Sequence, residues 1–327
     1  MRSIAVEEGG DEMGYQSIDR PTVGWIGAGR MGLQMAGRLV DAGLDVAVYN
    51  RTKSKATSLI SRGAKAVDSP IELADRDVVF SMVSASSDLI DVTTVAGGVL
   101  TGARAPALLV DCSTVSVAAS AEVRRAASEV GCDFLAAPVS GNPGVVKAGL
   151  LTMAVSGPVE TFEQAEALLN TFGRGVTYVG SGEVARLVKI CHNVFLGVVA
   201  QSLTEIIVLA EKGGVTRAAL LEFLNNSVMG STFSRYKSRA FVNLDFTPTF
   251  TLPLLLKDFD LGMAAARQLE APMPVAAAAA AVVASAVGAG YRTEDFATLI
   301  LEQARRSNLT LTAEDAHVDD GLSGAEE

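Results

Sequence analysis

Thr22-Val-Gly-Trp-Ile-Gly27-Ala-Gly29-Arg-Met-Gly32-Leu-Gln-Met-Ala-Gly-Arg-Leu-Val-Asp-Ala42 is the stretch that decides the fold. Its first six residues form a short apolar run with the character of a buried strand. Gly27-Ala28-Gly29-Arg30-Met31-Gly32 follows at once, and a helical pattern continues to Ala42. Glycines at these offsets, between a strand and a helix, form a dinucleotide-binding fingerprint. Gly27 allows the tight turn, Gly29 lets the backbone approach a pyrophosphate, and Gly32 lets helix and strand pack closely. The amides and positive dipole of the helix N-terminus then face the phosphates.

The next strand, Asp45 to Asn50, ends where an NAD site carries an acid for the ribose diol. Here the residues are Asn50, Arg51 and Thr52, with Lys53 and Lys55 behind them. No carboxylate stands there to repel a 2′-phosphate, and Arg51 has the planar fork to bind one. NADP is therefore expected, with NAD as the alternative. Thr52 or Ser54 also suits an ordinary helix N-cap, and the two roles are compatible.

Strand and helix patterns keep alternating: Ala64–Val67, Asp77–Val83, Ala107–Asp111, Asp133–Ala137, Leu151–Gly157 and Val176–Val179 read as strands. A Rossmann-type doubly wound parallel sheet is expected, with ligands at the carboxyl ends of its strands. Val83 and Ser84 lie at one such end and are expected on the cofactor. Two more ends carry polar clusters, Asp111-Cys-Ser-Thr114 and Ala137-Pro-Val-Ser-Gly-Asn-Pro-Gly144. Their hydroxyls and loop amides suit a carboxylate or a nicotinamide amide, although each cluster alone also suits a turn or a cap.

Gly180 to Val215 reads as one helix of about thirty residues, far above the usual ~11–12. Its nearly all-apolar middle requires burial on most sides. Near its start, Lys189, His192 and Asn193 fall at i, i+3 and i+4 and share a face. Only helical patterns follow, roughly Arg217–Asn225, Ser234–Arg239, Leu256–Leu269, Val275–Val287 and Asp295–Arg306. The expected organisation is a disordered lead over 1–20, a cofactor domain over 21–181, an all-helical substrate and dimerisation domain over 182–307, and an acidic flexible tail over 308–327.

Composition narrows the function classes. The 327-residue chain has a net charge of −10, which argues against a general nucleic-acid surface. Between Arg30 and Lys65, seven Lys or Arg stand against two Asp, which suits a small anionic ligand. The three scattered cysteines suggest a reducing compartment, and no metal-binding pattern appears. No signal-peptide pattern opens the sequence, and Ala271–Ala289 is too rich in alanine for a membrane span. A cytoplasmic protein with no membrane partner is expected. Its flat apolar helices favour a homodimer or homotetramer.

These residues together resemble the β-hydroxyacid dehydrogenase family, whose members include 3-hydroxyisobutyrate and tartronate semialdehyde dehydrogenases. The resemblance runs from about Thr22 to Arg306, and its specific parts are Asp111–Thr114, Ala137–Gly141 and the Lys189/Asn193 pair. It implies that Ser113, Thr114, Ser140 and Gly141 hold a substrate carboxylate, with the nicotinamide near Ser113 and Thr114. It also implies that Lys189 is the catalytic acid/base, assisted by Asn193, and that Lys257, in a Lys-Asp pair, lies near the cofactor. Many members have Ser-Gly-Gly where this chain has Ser140-Gly141-Asn142, so Asn142 is expected to alter the pocket. Many also place the lysine at the position of Arg186; the Lys-x-x-x-Asn pattern favours Lys189. His192-Asn193 is similar to 6-phosphogluconate dehydrogenases, but the chain is too short for their extended helical domain. The implied reaction is hydride transfer between a short β-hydroxy acid and its semialdehyde or keto form. Imine reduction and non-catalytic cofactor binding are the alternatives, and relatives of those kinds usually lack the lysine.

Overall fold

The computed structural model describes residues 20–322. The lead over 1–20 thus lies almost wholly outside the described residues. The chain divides into two compact units. The first runs to Pro138 and adds Ala154–Thr171 and Val176–Val184; the second comprises Val139–Met153, Phe172–Gly175 and Ala185 onward. The expected cofactor domain over 21–181 includes 139–153, which falls in the second unit.

The first unit is built on β1 (Val23–Ile26), α1 (Arg30–Asp41), β2 (Val46–Tyr49), α2 (Thr57–Ile60), β3 (Lys65–Ala66), β4 (Val78–Ser81), α3 (Ser86–Thr93), β5 (Leu108–Asp111), α4 (Val117–Glu129) and β6 (Asp133–Ala136). The six strands are parallel in the order β3-β2-β1-β4-β5-β6. β1, β4 and β5 are buried at every position, as befits central strands covered on both faces. Trp25 stacks on Phe80 at 5.6 Å, and its indole N–H donates to Gly27 O at 2.9 Å. The aromatic core therefore fixes the turn that leaves β1.

Beyond β6 the sheet ceases to be parallel. β7 (Val139–Ser140) and α5 (Pro143–Lys147) precede β8 (Leu151–Ser156), which runs antiparallel to β6 at Ala136 and to β7 through Val139↔Met153 and Ser140↔Thr152. After α6 (Val159–Leu169), β9 (Gly173–Gly180) also pairs with β8.

Beyond these strands the second unit is helical: α7 (Val184–Lys212), α8 (Arg217–Asn226), α9 (Thr232–Asn243), α10 (Leu252–Gln268), α11 (Pro274–Gly288) and α12 (Leu299–Arg306). By length and composition alone α7 is apolar enough to cross a membrane. In the fold it is a core helix whose Ile190, Val194 and Ala200 join one buried cluster, and Leu203, Ile207 and Val208 another. Gly197 and Gly262 are the contact points of α7 and α10. A methyl on Gly197 would lie 2.5 Å from the Phe259 ring, and one on Gly262 2.3 Å from Val194 Cγ2. Bare backbone at both positions lets the helices meet one turn from Asn193 and Asp258.

The acidic tail departs from the expected frayed segment. Leu309, Leu311, Ala316 and Val318 pack on the cluster formed by α7, α8, α9 and α12. Asn243 makes a two-point clasp on the Ala316 backbone, at 2.9 and 3.1 Å. Glu314 accepts the N–H groups of Arg217 and Ala218 at the start of α8, at 2.7 and 3.0 Å. The acid neutralises a helix N-terminus and stands 3.7 Å from the fully buried Arg217 guanidinium, so polar composition here accompanies order.

Candidate active site

In the first unit, the fingerprint glycines answer to different demands. Gly27 has φ +100, and a methyl there would lie 2.3 Å from Met82 O. A methyl on Gly32 would lie 1.9 Å from Gly27 O. The protein itself requires both glycines. Around Gly29, by contrast, an added methyl meets nothing within 4 Å, and its φ of −71 suits any residue. The space kept open there is the space a pyrophosphate needs. α1 has Gly29 as its N-cap, with no side-chain cap bond and no acid in its first turn, so its dipole is available to an anion. This cradle fits a nicotinamide dinucleotide. Ala28 is buried behind the turn, Met31 is half-buried, and Arg30 is exposed at the helix start.

Asn50 braces this turn. Its Oδ1 accepts Ala28 N–H at 2.7 Å, and its Nδ2 donates to Thr52 O at 2.7 Å. Thr52 makes no cap bond. Arg51 is 86% exposed and pairs only loosely with Asp88, at 3.5 Å, so its guanidinium is accessible. Val83 is half-buried and Ser84 exposed beyond β4.

Ser113 departs from its expected role as a carboxylate anchor. It is fully buried; its hydroxyl donates to Asp111 Oδ1 at 2.7 Å and accepts Val83 N–H at 2.8 Å. Ser81 donates to the same Asp111 oxygen at 2.7 Å. The side chain thus braces the ends of β4 and β5. Thr114, half-buried, is the nearer to solvent of the pair.

In the second unit, the residues from β7, α7 and α10 converge. Ser140 Oγ lies 2.8 Å from His192 Nε2, and His192 Nδ1 lies 2.9 Å from Asn193 Oδ1. Asn193 Nδ2 donates to Asp258 Oδ2 at 2.6 Å, and Lys257 Nζ stands 3.2 Å from Asp258 Oδ1. Asn193 and Asp258 are buried, at 4% and 1% exposure, while Ser140 and Lys257 are half-buried and His192 is exposed. Gly141 has φ +147, where a methyl would lie 2.8 Å from Val145 and 2.9 Å from Leu151, so glycine is obligatory after Ser140. Asn142 has a local role. Its Oδ1 accepts Val145 N–H at 3.0 Å as the N-cap of α5, with Pro143 at the first helical position.

Lys189 is half-buried on α7. Removal of water around its ammonium pulls its pKa down to about 8; the Asp258 carboxylate opposes this shift and the Lys257 cation adds to it. His192 is also held below its ordinary value, first by loss of water around the ring and then by the Lys189 charge. Arg186, the alternative position for the base, is 1% exposed. A lysine near pH 8 exchanges protons readily at neutral pH, whereas a guanidinium stays charged.

His192 stands between Ser140 and Asn193. Its shared face with Lys189 is the sequence signal that pointed to it. Asp258 is visible in sequence only as the acid after Lys257; its bond to Asn193 spans 65 residues.

Comparison with known proteins identifies the family. Residues 22–180 match the NAD-binding domain of 6-phosphogluconate dehydrogenase, and residues 180–302 match the NAD-binding domain of NADP-dependent 3-hydroxyisobutyrate dehydrogenase. The chain is 32% identical to glyoxylate/succinic semialdehyde reductase 2 of Arabidopsis thaliana, over 89% of this chain and 80% of that one. It is similar in structure to 3-hydroxyisobutyrate dehydrogenase from Salmonella typhimurium, with TM-score 0.79 and 26% identity over 86% of this chain and 99% of that one. Psf3, solved with NADP+ and 2-OPP, gives TM-score 0.79 and 25% identity over 86% and 99% of the two chains. The chain belongs to the β-hydroxyacid dehydrogenase family of NAD(P)-dependent oxidoreductases.

Proposed function

We propose that the protein interconverts a short β-hydroxy acid and its semialdehyde or keto form with NADP(H), using Lys189 as general acid/base. The observation that carries this is Lys189 itself, an amine held at about 8 on the helix that also bears Asn193. When bound, the nicotinamide supplies or accepts the hydride. In oxidation, neutral Lys189 takes the hydroxyl proton as the carbinol becomes a carbonyl; in reduction, the ammonium returns it. Asn193, pinned by Asp258, orients the substrate oxygen or the lysine. Ser140 and the Gly141 backbone hold the carboxylate, which fixes the carbinol carbon for transfer. Accessible Arg51, with no acid at Asn50-Arg51-Thr52, supports NADP over NAD.

The test is nicotinamide absorbance with a panel of short β-hydroxy acids, semialdehydes and cyclic imines, each with both cofactors. Turnover of hydroxy acids or semialdehydes with NADP(H) is expected. Turnover of imines alone would contradict the assignment. Assembly as a dimer or tetramer is supported by exposed Phe195, Ile206 and Leu209, which fall on one face of α7. A monomer by light scattering at micromolar concentration would contradict it.

A further inference from the structure

We propose that His192 sets the hydrogen-bonding polarity of Ser140, so that binding a carboxylate-bearing substrate takes up a proton at His192. The inference rests on the assignment of Ser140 as carboxylate anchor.

The polarity is fixed from the buried end of the chain of contacts. A carboxylate only accepts hydrogen bonds, so the Asn193 atom 2.6 Å from Asp258 is the NH2. Flipping the amide would set its oxygen against that carboxylate. Asn193 Oδ1 therefore faces His192 Nδ1, and Nδ1 must carry a hydrogen to make the 2.9 Å contact. In a neutral imidazole the other nitrogen is then a bare acceptor. At 2.8 Å from Nε2, Ser140 gives up its one hydroxyl proton to that acceptor. What Ser140 Oγ offers to a ligand in this state is lone pairs alone.

Lone pairs repel a carboxylate. Protonating His192 reverses the contact: Nε2–H donates to Ser140 Oγ, and the serine proton is released toward the ligand. The proton passes from a solvent or buffer acid to Nε2, forming the N–H bond there, and no other covalent bond changes. The charged groups facing the ring are Lys189 on its own helix, which opposes protonation, and Asp258 on α10, which favours it, with Lys257 beside Asp258. Ser140, on β7, is neutral. Partial loss of water around the ring, with the Lys189 charge, disfavours protonation of His192 before a ligand arrives. A carboxylate at Ser140 adds the negative charge that tips it. An uncharged ligand with its own N–H donor suits the resting state instead, so the same pair distinguishes a free acid from its amide.

The experiment is calorimetric titration of the full chain saturated with NADPH, with which a hydroxy acid does not react. The ligands are 3-hydroxypropanoate and 3-hydroxypropanamide, each titrated at pH 7 in two buffers of different ionisation enthalpy. The wild type is expected to take up protons on binding the acid and none on binding the amide. Its affinity for the acid should weaken about threefold or more per pH unit as pH rises from 6.5 to 7.5. His192→Gln, uncharged throughout, should lose that uptake and that slope. Uptake unchanged in His192→Gln would assign the proton to Lys189 and overturn the inference; so would absence of uptake in the wild type. Ser140→Ala separates the two levels. If it weakens acid binding while the uptake fails to depend on His192, the anchor stands and the switch falls. If it leaves acid binding unchanged, the anchor fails and the switch falls with it.

Discussion

Asn193 on α7 donates a 2.6 Å hydrogen bond to Asp258 on α10, and neither side chain is more than 4% exposed. An amide held by a buried carboxylate has no freedom to flip, so the face it presents to its neighbours is fixed. The same carboxylate raises the Lys189 pKa against the desolvation that lowers it. Asp258 thus acts on both members of the Lys189/Asn193 pair.

Asp258→Ala is expected to lower kcat by roughly 10–100-fold, the range found when an orienting partner is removed. Cofactor affinity, which depends on the glycine fingerprint, should survive. The sign of the pH effect follows from the charge: removing an anion that favours the ammonium shifts the Lys189 midpoint below about 8. A pH profile of kcat in the variant and in wild type checks this. A midpoint moving upward would be wrong for the geometry.

Gly29→Ala separates ligand demand from fold demand. Since a methyl there meets nothing within 4 Å, the variant should melt with the wild type while losing cofactor affinity. Gly27→Ala, by contrast, should lower the melting temperature, because its methyl would lie 2.3 Å from Met82 O. Thermal melts and fluorescence quenching by NADPH on the two variants make the comparison.

Arg51→Ala should reduce kcat/KM with NADP by about 10-fold or more while leaving NAD nearly unchanged, as expected for loss of a charge-assisted contact to a 2′-phosphate. Because the side chain is 86% exposed, no change in melting temperature is expected. Equal losses with both cofactors would assign Arg51 to something other than the phosphate.

Glu314→Ala should destabilise the helical unit by about 2 kcal/mol, a fall of roughly 4–8 °C in Tm, because it strips the start of α8 and leaves one side of buried Arg217 uncompensated. The fingerprint should bind cofactor as before. A melt indistinguishable from wild type would show that the tail docks without contributing.

Local chemistry explains what was legible in the sequence. The glycine turn between β1 and α1 is set by residues adjacent in the chain, and so is the uninterrupted apolar run of α7. The Lys189/His192/Asn193 face follows from helical spacing alone. Part of what escaped depended on partners far along the chain. Acid-rich 308–327 has the composition of a frayed end, yet Glu314 acquires partners nearly a hundred residues earlier and Leu311 packs on the helical core. Ser113 has the chemistry of a ligand donor until Asp111 and Val83 use its hydroxyl. Asn142 followed by Pro143 carried a cap signature that the family resemblance outweighed. β7 is two residues long and offers no alternation to detect.

The most direct test of the central claim is kcat as a function of pH in both reaction directions, for wild type, Lys189→Met and Arg186→Met. If Lys189 exchanges the proton, oxidation in the wild type rises with pH through about 8 as the base form accumulates, and reduction falls through the same value as the acid form is lost. Lys189→Met should abolish both limbs and lower kcat by roughly 10²–10⁴-fold with cofactor still bound. Arg186→Met should keep both limbs. Turnover surviving in Lys189→Met with both limbs intact, and lost in Arg186→Met despite retained cofactor binding, would contradict the account.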